Sequence, residues 1–346
     1  PMALMAQAFP SKPITLVVPV PPGGLVDTSA RLISEPLGRL IGQSIVVENK
    51  GGASGNLAYQ QVARAPKDGH TLLVSYSGYH VANPILMSKL PWELKDLTPV
   101  GLITVATNVV AVHPSVPVNN MKEFIAYVKQ NPGKLNYASQ GNGSVSHIGT
   151  EIFKQQTGVS LVHVPYRGNS PAVMAVVSGE VDGGTLATPG MLPQVKAGKI
   201  TALAVTSRKR SRLAPDVPTT AEAGFKDLES EVLYVVMAPG STPEPLMQTM
   251  AKAITDAMAR PEQQARLNDL DMAYEGLTGS AAAARLKKLS DQYGRIIRAT
   301  GPVVHGVVQI DRSDPLAADN VRYFTAFAGP PTSVLIVTPQ SRRALE

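Results

Sequence analysis

The chain has 346 residues, of which 44% are hydrophobic, and it carries a formal net charge of +6. This length suffices for two domains with a core in each, and no apolar run is long enough to span a membrane. The absence of cysteine excludes disulfides, thiol nucleophiles and thiolate metal sites. Few aromatic residues and one short basic cluster at 208–212 argue against nucleic acid, whereas a basic surface favours anionic ligands.

Residues 1–8 have the features of a processed leader. They are apolar and end in Ala6-Gln7-Ala8, the small-x-small pattern of a signal-peptidase site. We therefore expect secretion to the periplasm by a signal peptide, with a mature chain that starts at Phe9. An artificial leader or an ordinary frayed terminus is the alternative.

Strand and helix patterns alternate along most of the chain. The first strand is predicted at residues 14–19, and apolar residues at helical spacing then predict a helix that Gly42 ends. Further strands are predicted at 45–48, 71–75, 100–112, 135–139, 161–164 and 200–206. Helices are predicted at 121–130, 147–156 and 172–178, with glycine caps at Gly158 and Gly179. This alternation predicts an α/β protein with doubly wound, parallel sheets.

Two extended, proline-containing stretches interrupt the alternation, near 113–117 and 232–239, and we interpret them as hinge strands between two lobes. Helices near 243–259 and 280–299 would then return to the first lobe. The predicted organisation is a discontinuous lobe 1 at 9–112 plus 232–301, lobe 2 at 113–231, and a tail of unassigned role at 302–346. The tail contains two apolar runs, at 303–310 and 334–337.

Two glycine-rich loops follow strands and open helices, at 21–28 and 139–147. Each would direct the N–H groups and positive dipole of a helix N-terminus toward the ends of the strands, where ligands bind in such sheets. A carboxylate suits this environment, and nearby hydroxyl and amide groups would satisfy its oxygens. Either loop alone also fits a tight turn with Asp27, Ser144 or Ser146 as an N-cap. Two loops in equivalent positions favour a shared cleft.

Catalytic motifs are incomplete. The Gly141-Asn142-Gly143 pattern lacks the third glycine of a dinucleotide site, where Ser146 stands, and no nucleophile elbow surrounds Ser144. Single, scattered histidines give no metal-binding pattern. We therefore expect no catalytic residue, cofactor or metal. The alternative is an enzyme on the same doubly wound framework that uses the cleft for a nucleotide or acyl substrate, and a sensor is a third hypothesis.

Ordered motifs over residues 9–301 resemble the periplasmic solute receptors of tripartite tricarboxylate transporters, the TctC-like or Bordetella uptake gene family. The motifs lie at 9–14, 17–24, 46–49, 51–56, 68–73, 133–139, 141–147, 163–168, 202–207 and 216–224. The resemblance implies a type II periplasmic-binding-protein fold with Venus-flytrap closure. It also implies delivery of the ligand to membrane permease subunits, and a grip on the ligand carboxylate by both loops.

The predicted ligand-binding residues come from these loops and from neighbouring strand ends. They are Pro22, Gly23, Gly24, Leu25, Val26, Asp27, Ser77, Gly78, Tyr79, Ser139, Gly141, Asn142, Gly143, Ser144, His147, Tyr166, Thr185 and Leu186.

Ligand identity is predicted from a departure from the family. Relatives commonly carry an Asp-Asn pair after the residues that correspond to Val181-Asp182, whereas this chain has the segment 183–187, which ends in Leu186 and Ala187. This replacement predicts an apolar wall in the ligand site. Tyr79 would add an aromatic face to that wall. An ammonium group would lack a partner there. We expect an aromatic or partly apolar carboxylate rather than aspartate or glutamate, bound by a monomer that contacts neither nucleic acid nor the bilayer.

Overall fold

The computed structural model describes residues 9–87, 89–225, 228, 230–299, 303–309 and 321–327. The chain divides into two compact units, Pro1–Tyr293 and Gly294–Glu346. The strands are β1 (Ile14–Val18), β2 (Ile45–Asn49), β3 (Thr71–Tyr76), β4 (Leu97–Val112), β5 (Asn136–Ser139), β6 (Val162–Pro165), β7 (Gly183–Ala187), β8 (Thr201–Val205), β9 (Glu231–Pro239), β10 (Met272–Ala273), β11 (Val303–Gln309) and β12 (Val321–Phe327).

Helices separate most of these strands. They are α1 (Leu25–Ile41), α2 (Asn56–Ala63), α3 (Asn83–Leu86), α4 (Met121–Gln130), α5 (Val145–Thr157), α6 (Asn169–Ser178), α7 (Thr188–Lys196), α8 (Glu244–Met258), α9 (Pro261–Asp269) and α10 (Gly279–Ala299). The glycine caps were predicted correctly: Gly42, Gly158 and Gly179 end α1, α5 and α6 in the left-handed conformation, with φ of 69°, 68° and 73°. The predictions missed α2, α3, α7 and α9.

Two sheets share the long strand β4, and each forms the centre of one lobe. The lobe 1 sheet has the order β2-β1-β3-β9-β4, with β10 on β4, and the lobe 2 sheet has the order β4-β7-β5-β6, with β8 on β4. Pairing is parallel where β1 meets β2 and β3 and where β5 meets β6 and β7. The prediction of parallel sheets holds for these pairs but not around β4 and β9: β7, β8, β9 and β10 pair antiparallel with β4, and β9 pairs antiparallel with β3.

The chain crosses between the sheets within β4. Residues up to Thr107 pair with β9, and residues from Asn108 onward pair with β7 and β8. Two further chain segments meet this point, because the Thr206 amide donates to the Asn108 carbonyl at 2.8 Å and the Thr206 hydroxyl donates to the Ser230 carbonyl at 2.7 Å. The change of pairing partner thus precedes the predicted hinge at 113, and β9 lies in the lobe 1 sheet. The predicted lobe boundaries stay a prediction.

The core of each lobe follows from the apolar spacing of its helices. In α1, Ala30, Ile33 and Leu37 recur at helical spacing and are buried against the lobe 1 sheet. In lobe 2, α4 and α5 pack on one face of the sheet, with Phe124 and Phe153 stacked at 6.1 Å. A second buried cluster, which includes α6, covers the other face. Lobe 2 therefore has a buried apolar cluster on each face of its sheet.

The second unit contains a hairpin in which β11 pairs antiparallel with β12 from Val303 to Gln309. This strand coincides with the predicted apolar run at 303–310. The second predicted run at 334–337 and the predicted leader at 1–8 lie outside the described residues. In the part of the chain that the structure describes, no helix combines the length and apolar character needed to cross a bilayer.

Candidate functional site

A cleft of about 370 Å³ lies between the two lobes. Lobe 1 contributes the loop before α1, the first residues of that helix and three tyrosines. Lobe 2 contributes Gln140 and the segment that begins α6. The lining residues are Val20, Pro21, Pro22, Gly23, Gly24, Leu25, Val26, Tyr76, Tyr79, Gln140, Arg167, Gly168, Asn169, Ser170, Pro171 and Tyr234.

The lobe 1 wall is the N-terminus of α1. Gly23 has a φ of 84°, which only glycine adopts without strain, and this turn brings the backbone against the cleft. Gly24 is the N-cap, and no side chain accepts a hydrogen bond from the first turn of the helix. The N–H groups and the positive end of this helix dipole therefore remain available to an anion.

The predicted site residue Asp27 does not line the cleft, but its side chain holds the loop before α1 in place. Its carboxylate accepts hydrogen bonds from the Gly23 amide, the Arg31 guanidinium and the Asn49 side-chain amide, each at 2.9 Å. Burial alone would raise the pKa of Asp27, but these three donors and the charge of Arg31 together hold it below its usual value. The ionised carboxylate thus fixes the loop, which makes Asp27 a positioning residue.

Three tyrosines form an aromatic side of the cleft. The rings of Tyr76 and Tyr79 lie 4.6 Å apart with an interplanar angle of 54°, and Tyr234 lies in β9. Two glycines give these rings room. A Cβ atom at Gly55 would lie 2.4 Å from the Tyr79 ring, and one at Gly78 would lie 2.3 Å from the Tyr76 ring. The predicted site residue Gly78 therefore contributes indirectly, because its lack of a side chain leaves room for the Tyr76 ring that lines the cleft.

The lobe 2 wall is the N-terminus of α6. This helix begins after Gly168, whose φ is 108°, and no side chain caps its first turn. Arg167 precedes the cap and is exposed. The Ser170 hydroxyl donates across the cleft to the Gly23 carbonyl at 3.5 Å, so the two helix N-termini approach one another.

Asn169 fixes this wall to the rest of lobe 2. Its side-chain oxygen accepts hydrogen bonds from the Gln140 side chain and from the Ala187 amide, both at 3.0 Å. The backbone N–H of Gln140 donates to the Ser146 hydroxyl at 2.9 Å. The second glycine-rich loop is thereby connected to the start of α6.

Apart from Gln140, that second loop lies behind the cleft, and its predicted residues Ser139, Gly141, Asn142, Gly143, Ser144 and His147 do not line the cleft. Ser144 is fully buried and caps α5 by accepting a hydrogen bond from the His147 amide. The N-terminus of α5 is therefore capped by the chain itself, whereas those of α1 and α6 are not. The N-terminus of α6, and not that of α5, therefore offers free N–H groups to the cleft.

The interior of this loop is a closed network of histidine and serine. The Ser139 Oγ and His163 Nε2 atoms lie 2.6 Å apart, and the His147 and His163 rings stack at 4.0 Å. The Gly143 amide donates to the Nδ1 atom of His147 at 3.1 Å. Burial lowers the pKa of His147 to about 4 and that of His163 well below its ordinary value. Both imidazoles are therefore neutral near pH 7.

The other predicted residues lie elsewhere. The Ser77 hydroxyl is buried and accepts a hydrogen bond from the Leu233 amide, and the Tyr166 hydroxyl donates to Glu180 at 2.7 Å. Thr185 accepts a hydrogen bond from Thr150 beside a small cavity inside lobe 2.

Leu186 and Ala187 require a correction. Both are completely buried, and Leu186 belongs to the lobe 2 core. The side chains of this strand point into the packed interior, so they do not form the apolar wall predicted from them. Tyr79, the third member of that predicted wall, does line the cleft.

Sequence reasoning missed most of the lobe 2 wall. The Gly168-Asn169-Ser170-Pro171 segment carries a usable signal, because glycine before a helix and proline in its first turn mark an N-terminus. Tyr234 carries no such signal, since it lies within an apolar strand whose two faces look alike in sequence.

The family model for the tripartite tricarboxylate transporter family receptor matches residues 29–301. A UPF0065 protein of Bordetella pertussis is 38% identical over 257 residues, which are 74% of this chain and 79% of that relative. The chain therefore belongs to the family of tripartite tricarboxylate transporter receptors, which are periplasmic solute-binding proteins.

Solved structures agree on the fold. The periplasmic binding protein BugD covers 84% of this chain and 98% of its own, with 32% identity and a TM-score of 0.78. A Rhodopseudomonas palustris protein solved with adipate covers 84% and 97%, with 31% identity and a TM-score of 0.80. MatC from Rhodopseudomonas palustris, solved with bound malate, covers 83% and 99%, with 32% identity and a TM-score of 0.77. The fold predicted from the resemblance is confirmed.

Proposed function

We propose that this protein is an extracytoplasmic receptor that binds a small carboxylate between its lobes and releases it unchanged. One observation carries the proposal: each lobe presents the N-terminus of a helix to the same cleft, and neither N-terminus is capped by a side chain. Unpaired backbone N–H groups and two converging dipoles favour an anion. A carboxylate has the flat shape and the oxygen acceptors that such donors satisfy.

The proposed contact residues are those of the two walls and the aromatic side. They are Pro22, Gly23, Gly24, Leu25, Val26, Tyr76, Tyr79, Gln140, Arg167, Gly168, Asn169, Ser170 and Tyr234. In this proposal the residues of the second glycine-rich loop other than Gln140 position α6 rather than touch the ligand.

The lining also restricts the body of the ligand. Three tyrosines provide apolar ring surface with a polar tip, which suits a hydrocarbon or aromatic spacer. No Asp or Glu side chain lines the cleft among the residues that the structure describes. An ammonium group would therefore be desolvated without a partner, at a cost of several kcal/mol. We propose that aspartate and glutamate bind more weakly than acids without an amino group.

Export by a signal peptide to the periplasm and delivery to permease subunits complete the proposal. Membership of the receptor family supports both. The adipate and malate held by two related structures support a carboxylate as the ligand.

An enzyme is less well supported. Two serine–histidine pairs of the described residues lie at hydrogen-bond distance, Ser139 with His163 at 2.6 Å and Ser115 with His113 at 2.7 Å, and none of these residues lines the cleft. A substrate in the cleft would not reach them.

Calorimetric titration with adipate, malate, benzoate and aspartate, followed by chromatography of the recovered ligand, tests this proposal. We expect saturable binding of at least one acid without an amino group, and its complete recovery. Conversion of a bound acid would contradict the receptor function, and so would the absence of binding by the whole panel.

A further inference from the structure

Arg167 gives the cleft a positive charge that the protein does not neutralise. The residue is exposed and lines the cleft, and it has no hydrogen-bond or salt-bridge partner among the residues that the structure describes. Glu180, which its neighbour Tyr166 contacts, accepts from the Tyr166 hydroxyl at 2.7 Å. Asp27, behind the opposite wall, is paired with Arg31.

Several other arginines of the described chain are paired with carboxylates. Arg210 lies 2.9 Å from Glu222, and Arg285 contacts both Glu231 and Glu275. Arg167 differs from Arg210 and Arg285 because it has no counter-ion among the described residues. It also lies in the cleft, where a bound anion would supply that counter-ion.

Besides the uncapped N-terminus of α6, each lobe contributes one anion-attracting feature to the cleft. The uncapped N-terminus of α1 belongs to lobe 1, whereas Arg167 precedes α6 in lobe 2, and the three tyrosines also line the cleft. Extending the proposed function, we propose that Arg167 is a specificity-determining residue that makes the cleft select dicarboxylates. One carboxylate binds at the N-terminus of α1, and the guanidinium of Arg167 binds the second.

The chemistry of each group fits this assignment. Guanidinium presents a planar fork of donors that matches both oxygens of a carboxylate, which a lysine ammonium does not reproduce. The spacer of the ligand would lie against the tyrosine rings. A dianion thus contacts both lobes and binds their closed arrangement better than the open one, whereas a monocarboxylate gains no such second contact.

Calorimetry on the full chain tests the role of Arg167. The probes are the straight-chain dicarboxylates from succinate to suberate, each paired with the monocarboxylate of the same chain length. The proteins are the wild type, Arg167→Gln, Arg167→Lys and the control Arg64→Gln, which alters an exposed arginine outside the cleft. Circular dichroism checks that each variant is folded.

We expect the wild type and Arg64→Gln to bind the best dicarboxylate more tightly than its paired monocarboxylate by about ten- to hundredfold, the range for a hydrogen bond to a charged group. Arg167→Gln should lose most of this preference by weakening the dicarboxylate, and Arg167→Lys should retain part of it. Equal binding of the paired acids by the wild type would overturn the role of Arg167, as would a preference that survives in Arg167→Gln, and the receptor function would stand. Absence of binding by every acid would overturn both proposals.

Discussion

The Ser170 hydroxyl and the Gly23 carbonyl oxygen lie 3.5 Å apart, which directly connects the two helix N-termini that face the cleft. The bond is long, so its contribution belongs at the weak end of the range for neutral hydrogen bonds. It joins the lobes only while they are close together, and it therefore favours the closed arrangement.

Removing this contact should weaken ligand binding slightly. Ser170→Ala is expected to lower carboxylate affinity by about two- to fivefold, because the bond contributes about 0.5–1 kcal/mol to closure. Ser178→Ala is the matched control, since its hydroxyl bonds to Ala175 within the same helix. Calorimetry compares the two variants, and equal affinities would exclude a role for the Ser170 contact.

Two glycines that look equivalent in sequence should respond differently to substitution. Gly24 has an ordinary φ of -77°, and a Cβ atom there would lie 3.5 Å from Val20, so Gly24→Val should fold normally but obstruct the N-terminus of α1. At Gly143, φ is 74° and a Cβ atom would lie 2.5 Å from Leu86.

We therefore expect Gly24→Val to abolish carboxylate binding with little change in melting temperature. Gly143→Ala should lower the free energy of unfolding by about 1–3 kcal/mol through strain and overpacking. Thermal unfolding and calorimetry separate the two effects, and a stable Gly143→Ala would contradict the close contact with Leu86.

Asp27 should make stability depend on acid pH. Its pKa is lowered in the folded protein, so its contribution is complete above the unfolded value of about 3.9 and is lost as the pH falls through the folded pKa. Asp27→Asn should lower the free energy of unfolding at pH 7 by about 1.5–3 kcal/mol, because three hydrogen bonds lose their charged acceptor. Below pH 3 the difference from wild type should shrink. Urea unfolding at both pH values measures it, and a constant difference would contradict the assigned pKa direction.

The stacked histidines predict a second pH window. Burial lowers the pKa of His147 from about 6.5 to about 4, so its neutral form stabilises the fold fully above pH 6.5, and this stability is lost as the pH falls toward 4. When the pH is lowered from 6.5 to 4, the free energy of unfolding should therefore fall less in His147→Gln than in the wild type. His113→Gln, at a histidine outside this network, is the control. Equal losses in all three proteins would show that His147 is accessible to protons in the folded state.

The first wall of the site was predictable because its signals are local. A strand, a glycine turn and an amphipathic helix follow one another from Ile14 to Ile41, and each has its own sequence pattern. The second wall depends on tertiary structure, which brings the uncapped N-terminus of α6 to the cleft, whereas Ser144 caps α5. The antiparallel pairing around β4 was also not predictable, because an apolar run in the sequence does not show whether its strand pairs parallel or antiparallel with its neighbours.

The most direct test of the cleft is hydrogen–deuterium exchange with and without a saturating carboxylate that calorimetry has shown to bind. The account predicts slower exchange of backbone amides in both segments, 23–27 of lobe 1 and 168–172 of lobe 2, because one ligand contacts both helix N-termini. Protection confined to a single lobe, or found only in the loop at 139–147, would contradict it.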